Sequence, residues 1–105
     1  MRILDFIVSG QKIERDPKCD FSNIASGSRG YLRARFRFSA DWKGCKCAAI
    51  FSCRGHDIIV PLENSICDIP DAALIGSTVG VKIVGQNGKS VIPTNKVCFE
   101  QSKGV

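Results

Sequence analysis

Residues 31–38 show the clearest pattern in the chain, a strict alternation of apolar and basic side chains. A period of two arises when a β-strand turns one face towards a core and the other towards water. The segment is therefore predicted to be a strand whose successive side chains belong to opposite faces. The inward positions are Leu32, Ala34, Phe36 and Phe38, and the outward positions are Arg33, Arg35 and Arg37, with Tyr31 on the same side.

Six further segments are rich in β-branched and aromatic residues and have the length of strands. Glycine-containing turns at Asn87-Gly88 and Arg54-Gly55 are predicted to close two hairpins, so consecutive strands are expected to pair antiparallel. The pattern predicts an all-β antiparallel sandwich of about seven strands. The additional strands are placed at residues 3–8, 46–52, 57–62, 79–84, 90–92 and 96–101.

Two segments fall outside this strand pattern. Residues 69–76 are predicted to form one helical turn that starts near Pro70 and ends at Gly76. Residues 20–30 are rich in Ser and Gly and are expected to form a surface loop within the domain.

Aromatic side chains are expected to supply much of the core, because they bury the largest apolar area. Trp42 follows the alternating strand and is interpreted as an anchor between the two sheets, since core packing is the commoner fate of a tryptophan. The predicted structural core consists of Leu32, Phe36, Phe38, Trp42 and Phe51.

The composition is that of one globular domain. A chain of 105 residues can build one hydrophobic core and has no material for a second. With 44% hydrophobic and 24% charged residues, it is expected to fold rather than stay disordered. A single domain spanning residues 1–105 follows.

Charge and targeting signals narrow the class further. The net charge of +5 is compatible with an acidic partner, but it also serves to keep a small domain soluble. No apolar run approaches the roughly 20 residues that cross a bilayer, and no secretory signal is recognisable at the N-terminus. The chain is therefore expected to stay in a reducing cytoplasm, without membrane contact and with its six cysteines as free thiols.

The residues that enzyme chemistry requires are scarce. The chain has a single histidine, His56, beside a predicted hairpin turn. Neither a phosphate-binding loop nor a dinucleotide fingerprint occurs. Asp68 and Asp71 flank a proline turn, where capping and solvation explain them. No catalytic residue and no cofactor are expected.

A metal site is the strongest chemical alternative, because Cys45, Cys47, Cys53 and His56 lie close together in sequence and thiolates with imidazole bind zinc. An extended segment between Cys47 and Cys53 would separate those two residues by about 20 Å, too far for one tetrahedral site. No metal is expected.

The arginine ladder, Arg33, Arg35 and Arg37, allows three interpretations. Together with Tyr31 it could follow a phosphate backbone and stack on a base. It could instead be a solvated strand face paired with acids on a neighbouring strand. It could also dock an acidic patch of another subunit, because arginine and tyrosine are enriched at protein interfaces.

Short motifs follow one another in a definite order along nearly the whole chain. They are Ser9-Gly10-Gln11, Tyr31-Leu32, Asp41-Trp42-Lys43-Gly44, Ala49-Ile50-Phe51, Val60-Pro61-Leu62, Cys67-Asp68-Ile69-Pro70 with Leu74, Val81-Lys82-Ile83-Val84-Gly85, Ile92-Pro93-Thr94-Asn95 and Gly104. This order resembles the small immunoglobulin-like β-sandwich module of tailed phages that infect Gram-positive bacteria. It is similar to the N-terminal domain of baseplate upper proteins and to related minor virion proteins.

The resemblance implies an immunoglobulin-like sandwich that serves as a non-enzymatic virion structural protein. Such a module docks on the tail or baseplate, or on the head as a decoration or fibre-base protein, and it contacts other virion proteins as a homo-oligomer or in multiple copies. Relatives often continue into a helical or receptor-binding part, so a chain that stops at Val105 is expected to be a stand-alone accessory protein.

Two cysteines also depart from the family pattern, and one alternative function stays open. Cys45 and Cys47 stand where Lys-Thr-like residues are expected in that family. The alternative function is a small basic phage protein that binds nucleic acid or a host defence factor through the arginine ladder.

Overall fold

Strands of alternating burial dominate the computed structural model, which describes residues 1–102. Within that range nine strands form two sheets. The first sheet has the order β2-β1-β3-β6, and the second has the order β5-β4-β7-β8 with β9 also paired to β7. The bounds are β1 Arg2–Ser9, β2 Lys12–Arg15, β3 Leu32–Phe38, β4 Lys46–Cys53, β5 His56–Pro61, β6 Ile66–Asp68, β7 Thr78–Asn87, β8 Ser90–Pro93 and β9 Val97–Glu100.

The all-β, two-sheet architecture predicted from the sequence is confirmed, and each of the seven predicted strands is present. Strands β2 and β6 were not predicted. Each of them contributes a single fully buried side chain, Ile13 in β2 and Cys67 in β6, so neither can show an alternating pattern. Gly104, the last of the sequence motifs, lies outside the described residues.

The expectation that consecutive strands pair antiparallel holds for the β4–β5 and β7–β8 hairpins. It is wrong for the other predicted neighbours: β3 and β4, β5 and β7, and β8 and β9 are not paired to each other. Strands β1 and β3 are paired, but they are parallel and in register from Arg2 opposite Leu32 to Val8 opposite Phe38. The reason lies in β2, which turns back from β1 at Gly10 (φ 57°) and occupies its other edge. The chain then crosses through residues 16–31 before it returns alongside β1. Parallel strands require a connection of about this length.

Hairpins build most of the second sheet. Arg54 and Gly55, both with positive φ, join β4 to β5 as predicted. The β7–β8 turn is displaced by one residue from its predicted place: Asn87 is the last paired residue of β7, and Gly88 (φ 61°) is the first residue of the loop. Strand β9 pairs with the first half of β7, and β8 pairs with its second half.

The hydrophobic core fills the space between the sheets. Leu32, Phe36, Trp42 and Phe51 are buried there. Phe38 is only half-buried, because it lies at the end of β3, where it packs against Trp42 with ring centroids 5.4 Å apart.

Short 3-10 turns are the helical elements among residues 1–102. The turn predicted after Pro70 is present at Asp71–Ala73. A second turn, Ala40–Trp42, was not predicted; it brings the indole of Trp42 into the core, where Nε1 donates a 2.8 Å hydrogen bond to the carbonyl of Gly10. None of the helical segments in this range is long and apolar enough to span a bilayer.

Residues 20–30 form the expected loop, which is held against the first sheet at its start. The guanidinium of Arg2 donates hydrogen bonds to the carbonyls of Asp20 (2.8 Å), Ser22 (2.7 Å) and Asn23 (3.2 Å). The neighbouring Phe21 packs against the core from outside the strands. This loop therefore covers one end of the sandwich.

Candidate interaction surfaces

The arginine ladder lies on the outer face of the four-stranded sheet, which we call the arginine face. Each arginine there is paired with an aspartate from a different strand or loop. The pairs are Arg33 Nε to Asp68 Oδ1 at 2.9 Å, Arg35 Nε to Asp5 Oδ1 at 2.6 Å and Arg37 Nη2 to Asp16 Oδ2 at 2.6 Å. The ladder is thus neutralised within the sheet.

The central pair is bidentate. Arg35 stands opposite Asp5 in the parallel register of β1 and β3, and its Nη2 also donates to Asp5 Oδ2 at 3.1 Å. The hydrogen bond to Asp5 and its negative charge raise the pKa of Arg35 above its ordinary value. Two parallel charge-assisted bonds fix the guanidinium plane more firmly than one.

Asp16 forms the most enclosed of the three pairs. Its side chain is only 10% exposed, whereas that of Arg37 is 69% exposed. Its second carboxylate oxygen accepts the backbone N–H of Lys18 at 2.9 Å. Asp16 therefore holds the chain just after β2 and the arginine at the end of β3 together.

The pair of Arg33 and Asp68 lacks the directed hydrogen bond that the other two pairs have. Arg33 Nε is buried and makes no hydrogen bond within residues 1–102, although Asp68 Oδ1 lies 2.9 Å away. The attraction between these two groups is therefore ionic rather than a directed hydrogen bond.

Tyr31 precedes β3 and its side chain is half exposed. Its carbonyl accepts the N–H of Arg2 at 2.8 Å, which starts the pairing of β3 with β1. Of the four residues predicted to form one interaction face, three are ion-paired and the fourth stands at the margin. A phosphate backbone would have to displace three carboxylates to reach this ladder.

The cysteines and the histidine do not converge. Strand β4 is continuous from Lys46 to Cys53, so Cys47 lies near one end of it and Cys53 at the other, opposite His56. In the part of the chain that the structure describes, no three His, Cys, Asp or Glu side chains are grouped so that they could hold a metal.

All six cysteines are free, but only Cys53 and Cys67 are fully buried. Burial raises the pKa of Cys47, with a further contribution from Cys45. Burial also raises the pKa of Cys67 to about 12, with Asp68 acting in the same direction. These two thiols are therefore kept protonated, which is unfavourable for a nucleophile or a metal ligand.

A cleft of about 690 Å³ opens between the sheets at the end where Cys45 and Cys47 lie. Phe38, Trp42 and Leu62 supply apolar walls. The described residues that line it include no histidine and no carboxylate, so it holds no acid–base pair that could activate its serines.

A second surface was missed at the sequence level. The outward side chains of β4, β5, β7 and β8 form an apolar patch on the outside of the five-stranded sheet, which we call the apolar face. Its members are Ala48, Ile50, Ile59, Pro61, Val84, Val91 and Pro93.

The apolar face has no covering layer among residues 1–102, and Ile59 and Val91 are 66% and 61% exposed. A signal for it was present in the sequence, because residues 48–51 and 58–61 are apolar at both parities. Such runs are typical of strands that are covered on both faces.

Comparisons with known proteins identified no relative of this chain. The sequence matches no model of a known protein family, and a search among curated proteins found no significant similarity.

Proposed function

We propose that this chain is a non-enzymatic structural module of a bacteriophage particle. It docks on a larger assembly, either at the tail or baseplate or on the head as a decoration or fibre-base protein, and is present in the virion in multiple copies. The phage context rests on the order of sequence motifs described above. The docking role rests on the structure.

The observation that carries the docking role is the apolar face. Soluble monomers rarely expose contiguous apolar patches of this kind unless the patch contacts another molecule. A rigid sandwich with one sheet face uncovered is suited to attachment, since little conformational entropy is lost when a preformed surface binds. The cleft and the cysteines offer no competing catalytic arrangement within the described residues.

The alternative, nucleic-acid or host-factor binding through the arginine ladder, is disfavoured by the three ion pairs. Phosphate contacts gain affinity by releasing counterions from the nucleic acid, and an arginine already paired with a carboxylate contributes less to that gain. A salt titration of binding to single-stranded and double-stranded DNA measures this directly.

The proposal is tested on particles of the phage that encodes the chain. Particles are purified through a density gradient, washed in high salt and analysed by quantitative mass spectrometry, with a non-structural phage protein as the negative control. We expect a fixed copy number per particle, comparable in reproducibility to that of the major tail protein. Absence of the chain from washed particles would overturn the proposal.

A further inference from the structure

The two outer faces of the sandwich differ in charge pairing. On the arginine face each ladder arginine has its aspartate. Three lysines lie on the outside of the five-stranded sheet: Lys46 and Lys82 alternate with apolar face residues along β4 and β7, and the stem of Lys96 crosses Gly80. None of the three forms an ion pair with any of residues 1–102.

Acidic groups on this side are few and peripheral. Asp57 stands at the start of β5 and accepts a 2.7 Å hydrogen bond from the hydroxyl of Ser52. Glu100 lies opposite Thr78 at the far end of β7. Because the three Arg–Asp pairs cancel, the net charge of +5 is carried elsewhere in the molecule, and part of it lies around the apolar face.

We propose that the apolar face and its three lysines form a docking surface for another protein, one that presents an apolar centre bordered by Asp and Glu side chains. The proposal rests on the proposed structural role, which supplies the larger assembly. Unpaired cations beside a desolvated apolar centre are complementary to such a surface in both charge and polarity.

The size of the face is appropriate. Strands β4, β5, β7 and β8 are 8, 6, 10 and 4 residues long. With strands about 4.8 Å apart and about 3.3 Å per residue, they span roughly 440 Å² before side-chain relief is counted. With that relief the accessible area is of the same order as the roughly 800 Å² that each partner buries in a standard interface.

The same chemistry argues against three other occupants. A second copy packed on this face would set its own three unpaired lysines against these three, with Asp57 and Glu100 only at the margins, and like charges in a dry interface are costly. A lipid surface is usually met by Trp or Tyr side chains, and a nucleic acid by aromatic stacking. No aromatic side chain among residues 1–102 points outward from the paired positions of this sheet.

The first measurement maps the surface with a defined probe. The anionic dye 1-anilinonaphthalene-8-sulfonate combines an apolar ring system with a negative charge, and it is titrated into isotopically labelled full-length chain. We expect amide chemical-shift changes to concentrate around Ile50, Ile59, Lys82 and Val91, which lie on the apolar face and do not line the cleft. Changes concentrated on the arginine face or in the cleft beside Trp42 would overturn the inference.

The second measurement uses assembly. Three variants are produced in infected cells in place of the native chain: Ile59→Asp with Val91→Asp; Lys46→Glu with Lys82→Glu and Lys96→Glu; and, as a control with the same charge change, Lys12→Glu with Lys18→Glu and Arg29→Glu. Circular dichroism and thermal unfolding confirm that each variant folds. We expect the first two to reduce the copy number in purified particles by about tenfold or more and the control to leave it unchanged.

The outcomes separate the two proposals. If the native chain is absent from particles, the virion role fails, and the dye map alone decides the surface. If the native chain is present and the first two variants assemble as well as the control, the docking surface is overturned and the virion role stands. Two results would overturn the acidic protein partner. The first is a dimer of the native chain, detected by light scattering, that Ile59→Asp with Val91→Asp abolishes; the occupant would then be a second copy. The second is cosedimentation of the native chain with phosphatidylglycerol vesicles that the same variant abolishes; the occupant would then be a membrane.

Discussion

The six-membered ring of Trp42 lies against Gly85, so closely that a β-carbon added to Gly85 would fall 2.6 Å from Cζ3 of the indole. Gly85 faces inward on β7, opposite Cys47 of β4. The absence of a side chain at this position creates the space that the indole occupies. The anchor role of Trp42 therefore depends on a glycine that lies 43 residues further along the chain.

Gly85→Ala is expected to destabilise the fold, because the added methyl group overlaps a ring that is held by its hydrogen bond to Gly10. The expected cost is about 1–3 kcal/mol in the free energy of unfolding. Urea denaturation followed by tryptophan fluorescence measures it.

Gly80→Ala is the matched control on the same strand. Its added methyl group would lie 2.7 Å from Cδ of Lys96, which is the flexible stem of an exposed side chain and can move. Because glycine in a strand is itself unfavourable by about 0.5–1 kcal/mol, this variant is expected to be as stable as the native chain or slightly more so. Equal destabilisation by both variants would contradict the inward and outward assignment of β7.

The arginine face makes a second prediction, in which the carboxylates matter more than the arginines. Asp16→Ala removes an enclosed acceptor for both Arg37 and the N–H of Lys18, and is expected to cost about 1–3 kcal/mol of stability. Replacing Arg33, Arg35 and Arg37 together by serine should leave the fold intact, since water reaches the carboxylates of Asp5 and Asp68 that lose their partners, and Asp16 keeps its hydrogen bond from the N–H of Lys18.

Thermal unfolding of these variants is compared with that of Asp5→Ala, which breaks the bidentate pair with Arg35 but occupies a more exposed position than Asp16. The expected order of melting temperatures places Asp16→Ala lowest. A cooperative transition that disappears in the triple arginine variant would mean that the ladder, rather than the aspartates, organises this sheet.

Sequence reasoning located the faces of β3 because that strand is buried on one side only, so Phe36 and Arg37 differ sharply in polarity. It could not locate the ion pairs. Asp5 and Asp16 lie 30 and 21 residues from their partners, and only the parallel return of β3 beside β1 brings Asp5 to Arg35. A parallel pairing through a loop without regular structure has no local sequence signature.

The apolar face was missed for a different reason. β-Branched residues such as Ile50 and Ile59 favour a strand whether one or both of its faces are covered, so strand propensity does not reveal an uncovered apolar face. The continuous run of β5 was the available signal. The absence of a third layer over it becomes visible only when both sheets are in place.

A third prediction concerns alkaline pH. Burial raises the pKa of Cys67 to about 12, above its ordinary 9.0. Above about pH 9 the unfolded chain releases this proton while the folded chain keeps it, so stability is fully present below pH 9 and falls as the pH rises towards 12. The slope of unfolding free energy against pH should correspond to about one proton from this thiol.

Cys67→Ala should reduce the slope of unfolding free energy against pH, whatever its effect on the absolute stability. Cys98→Ala serves as the control because it removes an exposed thiol. Urea denaturation at several pH values between about 8 and 11 gives both slopes. Identical slopes in the two variants would show that Cys67 titrates in the folded state as it does in the unfolded chain.

The final prediction concerns the side chain of Asn95, which hydrogen-bonds to the backbone of β2 as a neighbouring strand would. The amide of Asn95 accepts the N–H of Ile13 through Oδ1 at 2.7 Å and donates to the carbonyl of the same residue through Nδ2 at 3.2 Å. Its backbone N–H also donates to the carbonyl of Gln11 at 3.2 Å. Asn95 thereby joins the edge strand of one sheet to the segment that precedes β9 in the other.

Asn95→Ala is expected to cost about 1–2 kcal/mol, because two backbone groups of β2 lose their partner at once. Hydrogen exchange gives a sharper measurement than stability alone: the Ile13 amide should exchange faster in this variant, while amides in the β4–β5 hairpin keep their protection relative to global unfolding. Asn87→Ala, at the exposed end of β7, should change neither quantity. If Ile13 keeps its protection in Asn95→Ala, the two sheet edges are held together by the buried side chain of Ile13 and not by the amide of Asn95.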